Sequence, residues 1–497
     1  MTGRFVIGYQ GGDHVVYRDG EVVYKDDRVI FVGHDYPGPV DAVIAAGDAV
    51  VGPGFLDLNA VADIDHGILD TWPSPELMSG HVWSEDYFYN RRHEVFSADD
   101  ERFNRRYALA QLLLNGITTA MPIAAETYRA WCETEEQFAD VVQIAGELGL
   151  RMYLGPSYRS GINVVKADGS RDVAWNEALG EEGLRQAVSF VRRFDGAHNG
   201  RIRGAFLPCR IETVTLAILR QTKQYADEFG CPIKLHAAQG LPELGLIRTW
   251  HDKNSIELLG EIGFLGPRTG IPHVFFIGGR NGVEMGSTDE FALLRDTGTT
   301  VIHCPIPAAR HARSMDTFDG YREGGINIAL GTDMFPPDII RAMDYATNMA
   351  KQRSGVQTAG SAADLYRAAT LNGAKLLGRD DLGRLAPGSK ADITIVDLSQ
   401  LRTGPIDDPI RTMVMNASGA HVRTVIVDGR TVVEDGTIPG LDVDAMRRRA
   451  QAYFETYKAS YSERDYLRRP TDVLFPPSFT TVVRRRDERR HADREGS

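Results

Sequence analysis

Three histidines and an aspartate follow short apolar runs in this chain: His236 in KLHAAQ, His273 in GIPHVFF, His303 in VIHCP and Asp333 in ALGTD. Imidazole and carboxylate are donors that hold zinc or ferrous iron, and the same groups move protons near neutral pH without a metal. Taken singly, a histidine after an apolar run is more often a hydrogen-bonded structural residue, by roughly three to one. The elements that deliver these side chains therefore decide their meaning. A second cluster, Ala62-Asp63-Ile64-Asp65-His66-Gly67, holds two carboxylates and an imidazole close together. It offers substitute ligands or acid/base groups, or is a solvated loop whose aspartate caps a following helix. Aromatic residues around Trp72 and Trp83 suit a flat cyclic substrate, since concave ligand sites are mostly apolar and aromatic; they suit core packing or an oligomer contact equally well.

The delivering elements alternate. Residues 1–52 read as short strands (RFVIGY, HVVYRDGEVVY with an internal Asp-Gly turn signal, RVIFVG), the texture of a small β domain. From Pro53 to about Leu377, strand-like runs alternate with helix-length segments: EQFADVVQIAGELG precedes LRMYLGPS, VTLAILRQTKQYADEFG precedes CPIKLHAAQ, and TDEFALLRDTG precedes TTVIHCP. Such alternation predicts a parallel sheet, and a region of this length suits a (β/α)8 TIM barrel, whose active sites gather at the C-terminal strand ends. His236, His273, His303 and Asp333 stand at such ends. After the helix DLYRAATLNGAKLLG the strands ADITIVDL and VRTVIVDGRTVV return to β texture. The expected fold is α/β, with residues 53–380 as the barrel and residues 1–52 and 381–437 as one β-sandwich domain built from both chain ends. Residues 438–497 follow as a terminal helix and a charged tail.

Bulk properties narrow the partners. A formal net charge of −12 disfavours general nucleic-acid or anionic-membrane binding, because clustered Lys and Arg hold phosphate. No uncharged apolar stretch of about 18 residues and no secretory pattern appear, which points to the cytoplasm and to no membrane partner. The four cysteines Cys132, Cys209, Cys231 and Cys304 form no CxxC pair and read as separate reduced thiols. A small-molecule substrate and a homodimer or higher homo-oligomer are the expected partners.

VVGPGFLDL, KLHAAQ, VIHCPIPAARHA and ALGTDMFP, followed by LGRLAPGSKADITIVDL, occur in an order that resembles the amidohydrolase superfamily, in its chlorohydrolase and aminohydrolase-like branch, over nearly the whole chain. The resemblance implies a barrel hydrolase in which His236, His273 and Asp333 match the metal ligands of strands five, six and eight. It matches His303 to a strand-seven histidine that shapes the substrate pocket. Three departures stand out. The family's first strand ends in His-x-His after Pro-Gly-Phe-hydrophobic-Asp, but here Asn59 and Val61 hold those positions. An amide is a poor ligand for zinc or iron, and valine is none. Three residues after the strand-five histidine, where relatives often carry a proton-shuttling Glu, stands Gln239, which cannot donate and accept a proton as a carboxyl group does. A bridging carboxylated lysine has no counterpart in RGAFLPCRIE.

The sequence thus leads to hydrolysis of a C–N or related bond in a small cyclic or nitrogen-containing substrate. Asp333, His273, His236 and His303 are the expected catalytic residues, and Asn59, Gln239, Trp83 and His66 the substrate contacts. With a metal, His236, Asp333 and His273 hold one zinc or iron ion and Asp333 takes the proton of the attacking water. Without one, the same groups carry out acid/base chemistry on an activated substrate, an elimination or an isomerisation. Acid/base help gives roughly 10²–10⁴-fold, and a Lewis acid several kcal/mol more, so amide hydrolysis without metal is hard. The lost first-strand ligands nonetheless tilt the expectation towards a metal-poor or metal-free site. A non-catalytic binding barrel is the rival, weakened by four site-type residues kept together.

Overall fold

The computed structural model describes residues 1–64, 69, 74–123, 131 and 133–482. Asp65, His66, Trp72, Cys132 and the tail beyond Val482 lie outside the described residues.

Local signals at the helix ends impose the alternation read from the sequence. The helix Glu135–Leu148 starts at Thr134, which shares a reciprocal cap with Gln137, and stops at Gly149 with φ +83°. Leu216–Phe229 starts at Thr215 and stops at Gly230 with φ +65°. Capping side chains satisfy the first free N–H groups, and the left-handed glycine releases the chain into the next strand.

Among the described residues, eight strands run in barrel order: Phe55–Val61, Ile117–Ile123, Arg151–Leu154, Ile202–Gly204, Ile233–Lys234, Thr269–Pro272, Thr300–His303 and Ile328–Leu330, called here the first to eighth barrel strands. Parallel pairing joins the first four and the last four. Bridges Phe206 to Ile233 and Arg210 to His236 join the two sets. Closure falls between the eighth and first strands, where Asp333 donates its N–H to the Asn59 carbonyl at 2.9 Å and Thr332 donates its own to Asp57 Oδ1 at 3.0 Å. The aspartate of the Pro-Gly-Phe-Leu-Asp run is therefore a barrel fastener, and burial raises its pKa.

Both sequence segments of β texture meet in one seven-stranded sheet among the described residues, ordered Arg430–Val433, Val422–Val427, Ile393–Asp397, Ala49–Pro53, Thr2–Gln10, Asp13–Lys25, Arg28–Gly33. Ile393–Asp397 lies antiparallel to Ala49–Pro53, with Ile393 opposite Pro53. Val6, Val22, Val29, Val51, Ile393 and Ile426 form its core. At the seam with the barrel, Arg151 of the third barrel strand is fully buried and donates to Asp392 at 2.9 and 3.1 Å; Asp428 also pairs with it and takes Lys390 Nζ at 3.0 Å.

The structure corrects two local readings. The Asp-Gly in HVVYRDGEVVY makes no turn: Asp13–Lys25 is one strand, whose first half pairs with Thr2–Gln10 and whose second half pairs with Arg28–Gly33, while Asp19 absorbs the bend at φ +52°. Pairing on both sides overrides the local turn signal. The segment DLYRAATLNGAKLLG is two short helices, Ala362–Ala368 and Leu371–Leu376, broken at Thr370.

A three-stranded sheet of Trp83–Ser84, Gly161–Val165 and Arg171–Trp175 was not foreseen. The helix Val443–Arg464 buries Tyr457, Tyr461 and Arg464, and the Arg464 guanidinium stands 4.7 Å from the Trp83 ring centre. No described helix is long and apolar enough to cross a membrane.

Candidate active site

His236, two residues beyond the fifth barrel strand, is buried, and its Nδ1 lies 3.1 Å from the Cys209 carbonyl. A carbonyl can only accept, so Nδ1 carries the proton and Nε2 keeps its lone pair. His273 follows the sixth strand at φ +70° and Asp333 follows the eighth at φ +47°. Both occupy the left-handed region that non-glycine residues avoid, and strain of this kind collects where side chains are aimed at a task. His273 Nε2 approaches Asp333 Oδ2 to 3.3 Å, and the rings of His236 and His273 are centred 5.5 Å apart. One donor atom from each of His236, His273 and Asp333 lies within 4.8 Å of the others.

Burial sets the charge states. Desolvation, helped by the charge of Arg210, holds His236 well below the usual histidine pKa. His273 is also held well below it, by desolvation first and then by His236, Arg210 and Arg313. Both are neutral at neutral pH, the form that binds metal. Neither ring nitrogen of His273 has a hydrogen-bond partner among the described residues, the Asp333 approach aside. Two neutral imidazoles and a carboxylate, one ring tied to a carbonyl, fit a single divalent ion with an open position, and zinc is the ion this donor set suits.

The first barrel strand adds no imidazole. Val61 is buried and apolar; Asn59 is buried with Nδ2 3.5 Å from Cys304 Sγ, and its Oδ1 has no hydrogen-bond partner among the described residues. His303 closes the seventh strand, buried 6.2 Å from the Phe318 ring centre, with its pKa lowered by burial to about 4; it is not one of the three converging donors. Lys234, in the fifth strand, is buried with Nζ donating to the carbonyls of Met121 at 2.8 Å and Pro122 at 2.6 Å. Desolvation lowers its pKa to about 7, against the pull of Asp57 and Asp333.

A cavity of about 590 Å³ opens on the loop that leaves His236, with Trp83, Gln239, Arg159, Arg171, Arg210 and Arg313 in its lining; His236, His273 and Asp333 are not among its lining residues. Gln239 Oε1 accepts from Arg210, and its carbonyl accepts from Arg313 Nη1 at 3.2 Å. Glu243 fixes the loop by accepting the N–H groups of Ala238 at 2.7 Å and Gln239 at 2.9 Å; burial and Glu212 push its pKa up to about 7. Of the expected substrate contacts, Gln239 and Trp83 line the cavity, Asn59 lies outside its lining, and His66 is outside the described residues. Sequence reasoning missed the arginines and Lys234. The signals were present in CRIE after the fourth strand, AARHAR after the seventh and a lysine inside the apolar run CPIKLH.

The family model for the amidohydrolase family matches residues 78–432. The chain belongs to the amidohydrolase family. This amidohydrolase is 27% identical over 440 residues to a 5'-deoxyadenosine deaminase of Methanosarcina mazei, covering 87% of this chain and 92% of the relative. A 5-methylthioadenosine/S-adenosylhomocysteine deaminase of Thermococcus onnurineus is 27% identical over 431 residues, covering 85% and 92%. Among solved structures, an adenosine deaminase from Xanthomonas campestris with bound zinc superposes with a TM-score of 0.69 at 18% identity, covering 91% of this chain and 97% of that one. Atrazine chlorohydrolase from Arthrobacter aurescens, complexed with zinc, superposes with a TM-score of 0.72 at 18% identity, covering 91% and 99%. These likenesses give the fold, a barrel with a flanking β domain, and family membership makes the chain a hydrolase.

Proposed function

We propose that this amidohydrolase cleaves a C–N or related bond at an electrophilic ring carbon of a small nitrogen-containing compound held at the barrel mouth. The convergence of His236, His273 and Asp333 within 4.8 Å carries this reading. It is supported by the cavity on the loop that leaves His236 and by curated relatives named as deaminases of adenosine-type nucleosides.

Asp333 takes the proton of the attacking water, being the one carboxylate among the converging groups. A divalent ion held by His236, His273 and Asp333 would supply Lewis acidity and bring a water near neutral pKa. Trp83 offers a ring face, and Gln239, whose Oε1 is occupied by Arg210, keeps its NH2 for a ring nitrogen. That amide cannot protonate a departing amine, so Asp333 must return the proton it took, or the leaving group must depart without one. Because Asn59 and Val61 stand at the first strand, the described residues would offer such an ion three protein donors, a smaller shell than one with the first-strand histidines.

The test is a screen of zinc-loaded protein against adenosine-type nucleosides and amino- and chloro-triazines, scoring release of ammonia, amine or chloride. Turnover of at least one class is expected, and no turnover of any ring compound would overturn the reading. A second reading, acid/base catalysis without metal, draws on Lys234, whose buried cation interacts with Asp333 and disfavours another cation nearby. Turnover that survives chelation would select it.

A further inference from the structure

We infer that the substrate of this site carries a negatively charged group, a carboxylate or a phosphate, received in the cavity by Arg210 and Arg313, with Arg171 also in the lining. The inference rests on the hydrolase reading for the word substrate, and on the cavity alone for the anion.

The protein as a whole is acidic, with a formal net charge of −12, yet four arginines and two glutamates line this one cavity. Guanidinium groups brought together repel, and a concave wall with low-dielectric sides sharpens the field they make. The repulsion is felt: beyond desolvation, Arg210 lowers the pKa of both Arg171 and Arg313, and Arg171 lowers that of Arg313. Among the described residues neither Arg171 nor Arg313 has a carboxylate within ion-pair distance, although most arginines elsewhere in the chain do. The two glutamates offset the repulsion only in part, Glu212 raising the pKa of Arg171 and Glu243 that of Arg313, against four guanidinium groups in the lining. Glu243 spends its oxygens on the Ala238 and Gln239 N–H groups and the Ser255 hydroxyl, and Glu212 accepts from Asn163 Nδ2 at 3.1 Å.

Position ties the cluster to chemistry. Arg210 donates to Gln239 Oε1 and Arg313 to the Gln239 carbonyl, so both cations are anchored on the loop that leaves His236, and the Arg210 charge reaches His236 and His273. A ligand anion bound there would share the cavity with Trp83 and lie against Gln239, three residues from His236. Planar guanidinium forks suit carboxylate and phosphate oxygens, which separates this cavity from one shaped for a neutral ring compound.

Calorimetric titration in chloride-free buffer with inorganic phosphate, and separately with succinate, tests the anion site without requiring turnover. Saturable binding of at least one is expected, with phosphate and succinate distinguishing the two anion types. Arg313→Gln and Arg210→Gln should each weaken that binding by about tenfold or more, and Arg193→Gln, on an exposed helix, should leave it unchanged. Circular dichroism checks folding; Arg313→Gln alone suffices should Arg210→Gln not fold. Absence of binding to either anion, or equal binding by the wild type and Arg313→Gln, overturns the inference. In a turnover arm, a nucleoside is compared with its 5'-phosphate and 5'-carboxylate. Preference for the neutral compound overturns the anionic substrate while leaving the proposed ring-carbon hydrolysis standing; anion binding without turnover of any nucleoside keeps the site and counts against nucleosides as the substrate.

Discussion

Asp333 is where every version of the chemistry meets. Replacing it with asparagine changes little in shape but removes a charge and, on the proposed function, a metal donor and the acceptor of the water proton. Asp333→Asn should therefore lower kcat/KM by at least about 100-fold with an unchanged circular dichroism spectrum; a folded variant keeping more than about a tenth of the activity would place the catalytic centre elsewhere. Asn59 and Val61 bear on a second outcome. Gently purified protein should carry less than one zinc or iron per chain, because Asn59 and Val61 replace the first-strand ligands that the family resemblance implies; a full equivalent, released only to a chelator, would show further ligands. His236, His273 and Asp333 were legible because each follows an apolar run whose period and length announce a strand. Lys234 and the arginines were not: a charged residue in a run, or after it, is most often a solvated one, and only barrel closure shows that Lys234 is sealed in and that Arg210 and Arg313 converge.

At the scale of elements, the strand Asp13–Lys25 carries a titratable contact with the barrel. His14 Nε2 lies 2.9 Å from Thr370 Oγ1, and its ring centre is 5.0 Å from that of Tyr366 on the helix Ala362–Ala368. Burial lowers its pKa from 6.5 to about 4. Between those values the unfolded chain binds a proton that the folded one does not. The stability is therefore complete above about pH 6.5 and is lost as the pH falls towards 4. Part of the ring is exposed, so the loss for this one residue is about 1–2 kcal/mol. His14→Gln should flatten the fall in thermal midpoint between pH 7 and 4.5 relative to wild type; parallel curves would refute the assignment. The strand itself shows the limit of local reading. Asp-Gly signals a turn only where the chain has no better use for its hydrogen bonds, and here two different neighbours use both halves of the strand.

At the scale of the molecule, the barrel and the flanking sheet are fastened by the buried Arg151, Asp392, Asp428 and Lys390 cluster. Breaking such a group from one side strands the other charges in low dielectric. Arg151→Ala should thus cost about 3–5 kcal/mol in denaturant unfolding. The cluster lies on the side of the barrel seam rather than among the site residues, so kcat of the folded fraction should hold; a loss below about 1 kcal/mol would mean that water reaches the cluster. The pairing of both β segments into one sheet was visible in the sequence as strand texture flanking a strand-helix alternation. The wall formed by Trp83 was not visible as a wall, since its support, Arg464, comes from a helix far along the chain.

The central pairing of that sheet, Ala49–Pro53 with Ile393–Asp397, sets a timetable for synthesis. At ribosomal speeds of about 5–20 residues per second, the earlier strand waits on the order of tens of seconds for its partner to be made. Throughout that interval its outer edge has unpaired N–H and C=O groups, the template on which neighbouring nascent chains associate. Crowded polysomes making this protein are thus at greatest hazard before the later strand emerges, and slowing elongation downstream of the barrel should lower the yield of folded protein even though every residue of the active site has already been made.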